Sequence, residues 1–137
     1  MSRGPRAIAV ERVARPEPEA GAVRVRVRAC GICGSDLHFF ELGLLAPGTT
    51  PGHEIAGVVD AVGPGVTTAS PGDAVAVEPL RSCGACPACR AGRDSICREM
   101  QLHGFNLPGG FAEYVALPAR RLFRLPSDLP WSVAALA

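Results

Sequence analysis

Val23-Arg24-Val25-Arg26-Val27-Arg28 alternates apolar and charged residues without a break. A strand sends successive side chains to opposite faces, whereas a helix would spread these arginines over every side. The stretch reads as a strand with valines toward a core and arginines toward water, a solvated face and not a basic binding patch. Outward from it, Ile55 to Val62 is a mostly apolar run closed by Gly63-Pro64-Gly65, which predicts a buried strand and a tight turn. Pro71-Gly72-Asp73 marks another turn and Ala74 to Val77 the next strand. Phe111 to Leu117 and Leu122 to Leu125 add two more. Cys30 to Phe40 reads as a glycine-rich turn and a short helix, with Ser35 and Asp36 as its capping residues. Ser127-Asp128-Leu129-Pro130 opens a last helix, of which Trp131 to Ala137 form the first turns. The expected fold is mainly β: short strands around a partly open, barrel-like core, short helices and one cysteine-rich excursion.

Bulk properties agree. The 16 glycines and 13 prolines are spread along the chain, which favours many turns over a low-complexity linker. With 47% hydrophobic and 20% charged residues, disorder is excluded, and 137 residues suffice for one core. A net charge of +1 gives no footing for nucleic acid or an anionic membrane. Met1 to Val10 holds arginines but no signal-like apolar stretch, and no run approaches the ~20 apolar residues of a membrane helix. The expectation is a soluble cytoplasmic protein. Six cysteines in such a compartment point to metal before disulfide.

Four of them follow the spacing Cys83-x2-Cys86-x2-Cys89-x7-Cys97. Structural zinc takes four ligands in a tetrahedron, and thiolates suit it. Gly84, Ala85 and Ala88 are small enough for the backbone to wrap tightly. Four cysteines leave no position for substrate, so this zinc would hold the lobe 82–98 together and do no chemistry. Three cysteines within seven residues make poor disulfide geometry, and iron–sulfur clusters use other spacings.

Two further segments carry metal-type residues: Gly31-Ile-Cys33-Gly-Ser35-Asp36-Leu-His38 and Pro51-Gly52-His53-Glu54. Cys33, His53 and Glu54 make a mixed sulfur, nitrogen and oxygen set of the kind that keeps a zinc position open. By themselves these pieces fit equally well a surface His-Glu pair and a small buried cysteine. Cys30 reads as structural, Asp36 as a residue that orients the turn, and His103 as a surface or loop histidine. Phe39, Phe40 and Leu42 fit a pocket wall or the packing of a short helix.

Taken in order, the motifs are Cys30-Gly-Ile-Cys33-Gly-Ser-Asp-Leu-His38, Gly52-His53-Glu54-x2-Gly57-x-Val59-x2-Val62-Gly63, Gly72-Asp73-x-Val75-x-Val77, the four cysteines, and Gly109-Gly110-Phe-Ala-Glu-Tyr-Val115. From about Val23 onward the chain resembles the zinc-dependent medium-chain alcohol and polyol dehydrogenases. The resemblance implies a GroES-like catalytic domain with a second, catalytic zinc. It assigns Cys33 and His53 as ligands of that zinc and Glu54 as a ligand or close neighbour. Ser35 matches the hydroxyl that takes the proton of the substrate alcohol, and His38 the histidine that passes it toward solvent. The implied reaction is oxidation of a small alcohol or polyol, with zinc as Lewis acid and NAD or NADP as hydride acceptor. Homo-oligomers are common in the family.

The chain also departs from that pattern. It contains no dinucleotide fingerprint: Gly63-Pro-Gly65 is the nearest approach, but residue 68 is Thr and no helix follows. Residues 1–137 thus read as an incomplete GroES-like domain without its Rossmann cofactor domain, stopping inside a helix just before a further family ligand, often Glu. The family's opening strand is absent or altered around Met1 to Ala7. The expectation is a fragment of such an enzyme, inactive alone. The alternative is a non-catalytic zinc-binding GroES-like scaffold. A nucleic-acid-binding ribbon is disfavoured, because Arg81, Arg90, Arg93 and Arg98 have no aromatic residues among them.

Overall fold

The computed structural model describes residues 1–136. Among these residues, nine strands and three α-helices run in the order β1 (Ser2–Gly4), β2 (Ala7–Ile8), β3 (Ala22–Gly31), α1 (Gly34–Leu42), β4 (Glu54–Val62), β5 (Ala74–Val77), β6 (Leu80–Arg81), α2 (Pro87–Arg90), β7 (Gln101–Leu102), β8 (Tyr114–Pro118), β9 (Leu122–Arg124) and α3 (Trp131–Ala134), with two 3-10 turns at Asp94–Ile96 and Ala119–Arg121. The centre is a five-stranded antiparallel sheet in the order β8-β3-β4-β5-β9, open at both edges. Its inner face carries Val23, Val25, Ile55, Val59, Val75, Val77, Val115 and Leu117, which form one buried cluster. On the opposite face Ala56 packs against Ala134 and Ala135, with Ala29, Leu129 and Trp131 around them. The short α3 thereby covers the far side of β3 and β4. This is the mainly β, partly open architecture expected.

The alternating stretch lies within β3, but two of its expectations change. Arg24 does not face water; it is 9% exposed. Its Nε donates to Asp60 at 2.6 Å, and another guanidinium nitrogen reaches Glu17 at 2.9 Å and the Pro16 carbonyl at 3.1 Å. The Asp60 hydrogen bond is the main reason its pKa is raised despite burial. The pairing of β3 with β4 also slips twice, between Arg24 and Val25 and between Val27 and Ala29. At the second slip Arg28 is the extra residue, a bulge that bends the strand. Beyond it Ala29, Cys30 and Gly31 pair with Ala56, Ile55 and Glu54.

Other boundaries shift for local reasons. The strand expected from Phe111 begins only at Tyr114. The amides of Gly109, Gly110 and Phe111 are committed elsewhere, to the carbonyls of Thr50, Gly52 and Pro51. The first helix has Cys33, not Ser35, at its N-cap; Asp36 sits at N3 and accepts the Cys33 amide at 3.0 Å. A small hairpin, β1 with β2, occupies the N-terminal stretch. The last helix starts at Trp131 as expected; Ala137, placed in it by the sequence reading, lies outside the described residues.

His103 is neither on the surface nor half-buried: it is 4% exposed. Its Nδ1 donates to the Pro108 carbonyl at 2.8 Å, which leaves Nε2 as a buried lone pair with no partner among the described residues. Burial holds its pKa below the ordinary value. The unfolded chain therefore takes up a proton first as pH falls below about 6.5, and folded stability drops from there toward the lower folded-state pKa. In metal-loaded protein the urea midpoint should fall between pH 7.5 and 5.5 more steeply for wild type than for His103→Leu. Equal slopes would refute this account.

Candidate metal centres

Strand register builds the first site. Gly31 pairs with Glu54, so the residues flanking that pair, Cys33 just after β3 and His53 just before β4, are brought together. Cys33, His53 and Glu54 each offer one ligand atom, and these atoms lie within 4.8 Å of one another. Gly31 makes room for this: a Cβ there would overlap the Glu54 carboxylate and come within 2.9 Å of Leu136. The loop carrying His53 is seated by glycines. Gly52 has φ +90°, and Gly104, at φ +87°, lies so close that a Cβ on it would come within 2.7 Å of the Gly52 carbonyl oxygen. Side chains fit neither place, so the backbones touch.

His53 is held from two sides. Nε2 lies 3.3 Å from the Ser35 hydroxyl, and Nδ1 lies 3.6 Å from Asp36 Oδ1. Both Nδ1 and that carboxylate oxygen are buried and lack a hydrogen bond among the described residues. Histidine ligands commonly direct their second nitrogen to a carboxylate, which fixes ring orientation and leaves the other lone pair for the ion. Asp36 is thus more than a turn residue. It spans the Cys33 amide and the His53 ring, a link the sequence did not reveal because residues 36 and 53 meet only through the fold. The donor set, the glycine cradle and the orphaned atoms fit a zinc ion. Ser35 stands beside His53, but His38 is exposed, and among the described residues no hydrogen bond joins it to Ser35.

The second site is the cysteine lobe. Cys83 Sγ lies 3.5 Å from Cys97 Sγ and 3.9 Å from Cys89 Sγ, and Cys86 Sγ lies 3.5 Å from Cys89 Sγ. A tetrahedron with Zn–S bonds of about 2.3 Å has S···S edges of about 3.8 Å, so the sulfurs already outline one. All six cysteines are free thiols. The amides of Cys86 and Cys83 point at the sulfurs of Cys83 and Cys97, both at 3.4 Å. Hydrogen bonds from the Ala85 and Cys86 amides lower the Cys83 pKa, and the Cys89 amide helps pull Cys86 down to about 6. Burial pushes the Cys89 thiol up. Cys30, outside both sites, is also pushed by burial to about 12, which suits an inert packing role.

A cleft of about 810 Å³ runs between the lobe and β8, lined among others by Arg81, His103 and Arg120. It contains none of Cys33, Ser35, His53 or Glu54. Among the described residues no helix is long and apolar enough to cross a membrane.

Sheet and clusters together define a class: an open antiparallel β domain with two clusters that could hold a metal, one of four cysteines and one of Cys33, His53 and Glu54. Residues 19–127 match the alcohol dehydrogenase GroES-like domain, and the chain belongs to that family. It is 47% identical over 128 residues to an L-threonine 3-dehydrogenase of Anaeromyxobacter sp. (strain Fw109-5), covering 88% of this chain and 37% of that protein. It is 42% identical over 119 residues to the starvation-sensing protein RspB of Escherichia coli K12, covering 81% of this chain and 33% of that one. Among solved structures, galactitol-1-phosphate dehydrogenase from Escherichia coli superposes with a TM-score of 0.89 at 38% identity, over 96% of this chain and 38% of that chain. An RspB alcohol dehydrogenase from E. coli CFT073, solved with NADH, gives a TM-score of 0.91 at 38% identity, over 97% of this chain and 39% of that chain. The chain thus spans a little over a third of the relatives it matches.

Proposed function

We propose that this chain is the zinc-binding catalytic portion of an NAD(P)-dependent dehydrogenase acting on a small alcohol or polyol. The observation that carries this reading is the meeting of Cys33, His53 and Glu54 within 4.8 Å, with the Ser35 hydroxyl 3.3 Å from His53. Cys33, His53 and Glu54 would hold one zinc and Cys83, Cys86, Cys89 and Cys97 another. When bound at the mixed site, zinc supplies a Lewis acid for the substrate oxygen. A nicotinamide cofactor bound outside these residues supplies the hydride acceptor. Asp36 keeps the His53 ring oriented. Ser35 would hydrogen-bond the substrate hydroxyl and take up its proton while giving up its own, and the exposed His38, one helical turn on, would receive that proton through solvent and release it to water. The reduced thiols favour a cytoplasmic location, and the family resemblance favours a homo-oligomer.

The reading is tested on the 137-residue polypeptide by metal analysis. Zinc should be retained in full at the four cysteines and only weakly at the mixed site. No turnover of NAD or NADP with any alcohol is expected from these residues alone. Turnover by the isolated polypeptide would contradict the assignment of the cofactor site to residues outside it. Complete indifference of the Cys33 site to zinc or cobalt would instead favour the non-catalytic scaffold.

A further inference from the structure

We infer that Arg121 is a positioning residue for the four-cysteine metal site, a clamp that ties both ends of the lobe to the sheet. The inference rests on the zinc reading of that lobe. Arg121 ends the short 3-10 turn Ala119–Arg121 that joins β8 to β9, and it is 6% exposed. One guanidinium nitrogen donates to Glu78 at 2.6 Å. The other terminal nitrogen donates to the Ser82 hydroxyl at 2.8 Å and to Asp94 at 2.6 Å, while Nε has no partner among the described residues. The backbone doubles the link, since the Glu78 amide donates to the Arg121 carbonyl at 2.8 Å.

The partners are well placed for the role. Glu78 immediately follows β5, an inner strand of the sheet. Ser82 immediately precedes Cys83, where the chain enters the lobe, and Asp94 lies three residues before Cys97, where it leaves. Ser82 also donates to Asp94 at 3.0 Å, which closes a ring of hydrogen bonds. Arg120 adds a second hold from the same turn, donating to the Ser82 carbonyl at 2.9 Å. The Ser82 hydroxyl, then the Arg121 charge, hold the Asp94 carboxyl below its ordinary range. Burial opposes the charge of Arg121, but Glu78 and Asp94 outweigh it and its pKa is raised.

A fork of planar donors is what such a three-way junction needs, and lysine cannot reproduce it. Inside the lobe the Cys83 amide also reaches Cys97 Sγ at 3.4 Å, but there is little regular structure between the two residues. Its elements are a four-residue helix and a three-residue 3-10 turn. Groups one layer outside a metal's ligands commonly set affinity by 10- to 100-fold. Here that layer is anchored by a buried side chain from the turn between β8 and β9.

The test is zinc release from the loaded chain to a chromogenic chelator, with cobalt substituted in parallel so that the tetrathiolate absorption bands report the four-cysteine site alone. Arg121→Met should release that metal about 10-fold or more faster than wild type and blur its cobalt bands, with Arg121→Lys between the two. Asp94→Asn, at a more exposed position that does not threaten folding, should shift release the same way by a smaller factor. Amide exchange within residues 82–98 should speed up in each variant while that of β3 and β4 stays slow. If wild type retains metal at the four cysteines and Asp94→Asn and Arg121→Lys release it at the wild-type rate, the clamp is refuted and the zinc reading stands. If wild type binds no metal there, both fall together.

Discussion

Removing zinc from the four cysteines is expected to unfold residues 82–98 while the five-stranded sheet stays folded. The lobe has almost nothing else to hold it. Its regular structure is α2, four residues long, and the 3-10 turn Asp94–Ile96. Of its apolar residues only Cys97 is buried, while Ile96 is 59% exposed. Without metal, the 3.5 to 3.9 Å sulfur separations would crowd thiolates against each other, or require thiols that bond only weakly. Such a metal contributes on the order of 10 kcal/mol to folding. The main apolar cluster, by contrast, draws on Val23, Ile55, Val75 and Val115, none of them in the lobe. Hydrogen exchange after treatment with a strong chelator should show loss of protection from Cys83 to Cys97 alone. Cys97→Ser should mimic it, and acidification should promote it, since protons compete for the thiolates. Lobe amides that stay protected in metal-free protein would sink the structural-zinc reading.

On the proposed function, His53→Ala should cut the turnover of a dehydrogenase containing this domain by about 10³-fold or more, because the proposed zinc would lose a ligand and several kcal/mol of charge stabilisation with it. Asp36→Asn should cost less, about 10- to 100-fold, through a weaker hold on the ring. It keeps the shape that accepts the Cys33 amide at 3.0 Å, so helix α1 should survive. Cobalt spectra separate the sites: His53→Ala should lose the mixed-site signal, Asp36→Asn should weaken it, and both should keep the tetrathiolate one. An active His53→Ala enzyme would show that the mixed site is not the reaction centre.

What could be read from the sequence was what is local. The alternation of Val23 to Arg28, the apolar run from Ile55 and the spacing of the cysteines each lie within a short window, and each became the expected element or cluster. What escaped depends on distant partners. Arg24 is buried because Asp60 lies 36 positions away across a bulged pair of strands. His103 is buried because a loop closes on it, with its amide on the Pro79 carbonyl and its ring on Pro108. Phe111 leaves the strand because the 50–52 loop takes its amide. In the candidate site the ligand types were legible from motif resemblance, while the Asp36–His53 contact needed the strand register to appear.

That register has a consequence for assembly of the chain itself. Gly31 opposite Glu54 is the last rung of the β3–β4 ladder, set after two irregularities. A slip by one residue anywhere below would turn Glu54 to the other face and carry His53 away from Cys33. Only the correctly paired hairpin can gather sulfur, imidazole and carboxylate around one ion. If the proposed mixed site holds a metal, it acts as a checksum on strand pairing: a misaligned chain could still fill its cysteine lobe, but it would fail to collect that second ion.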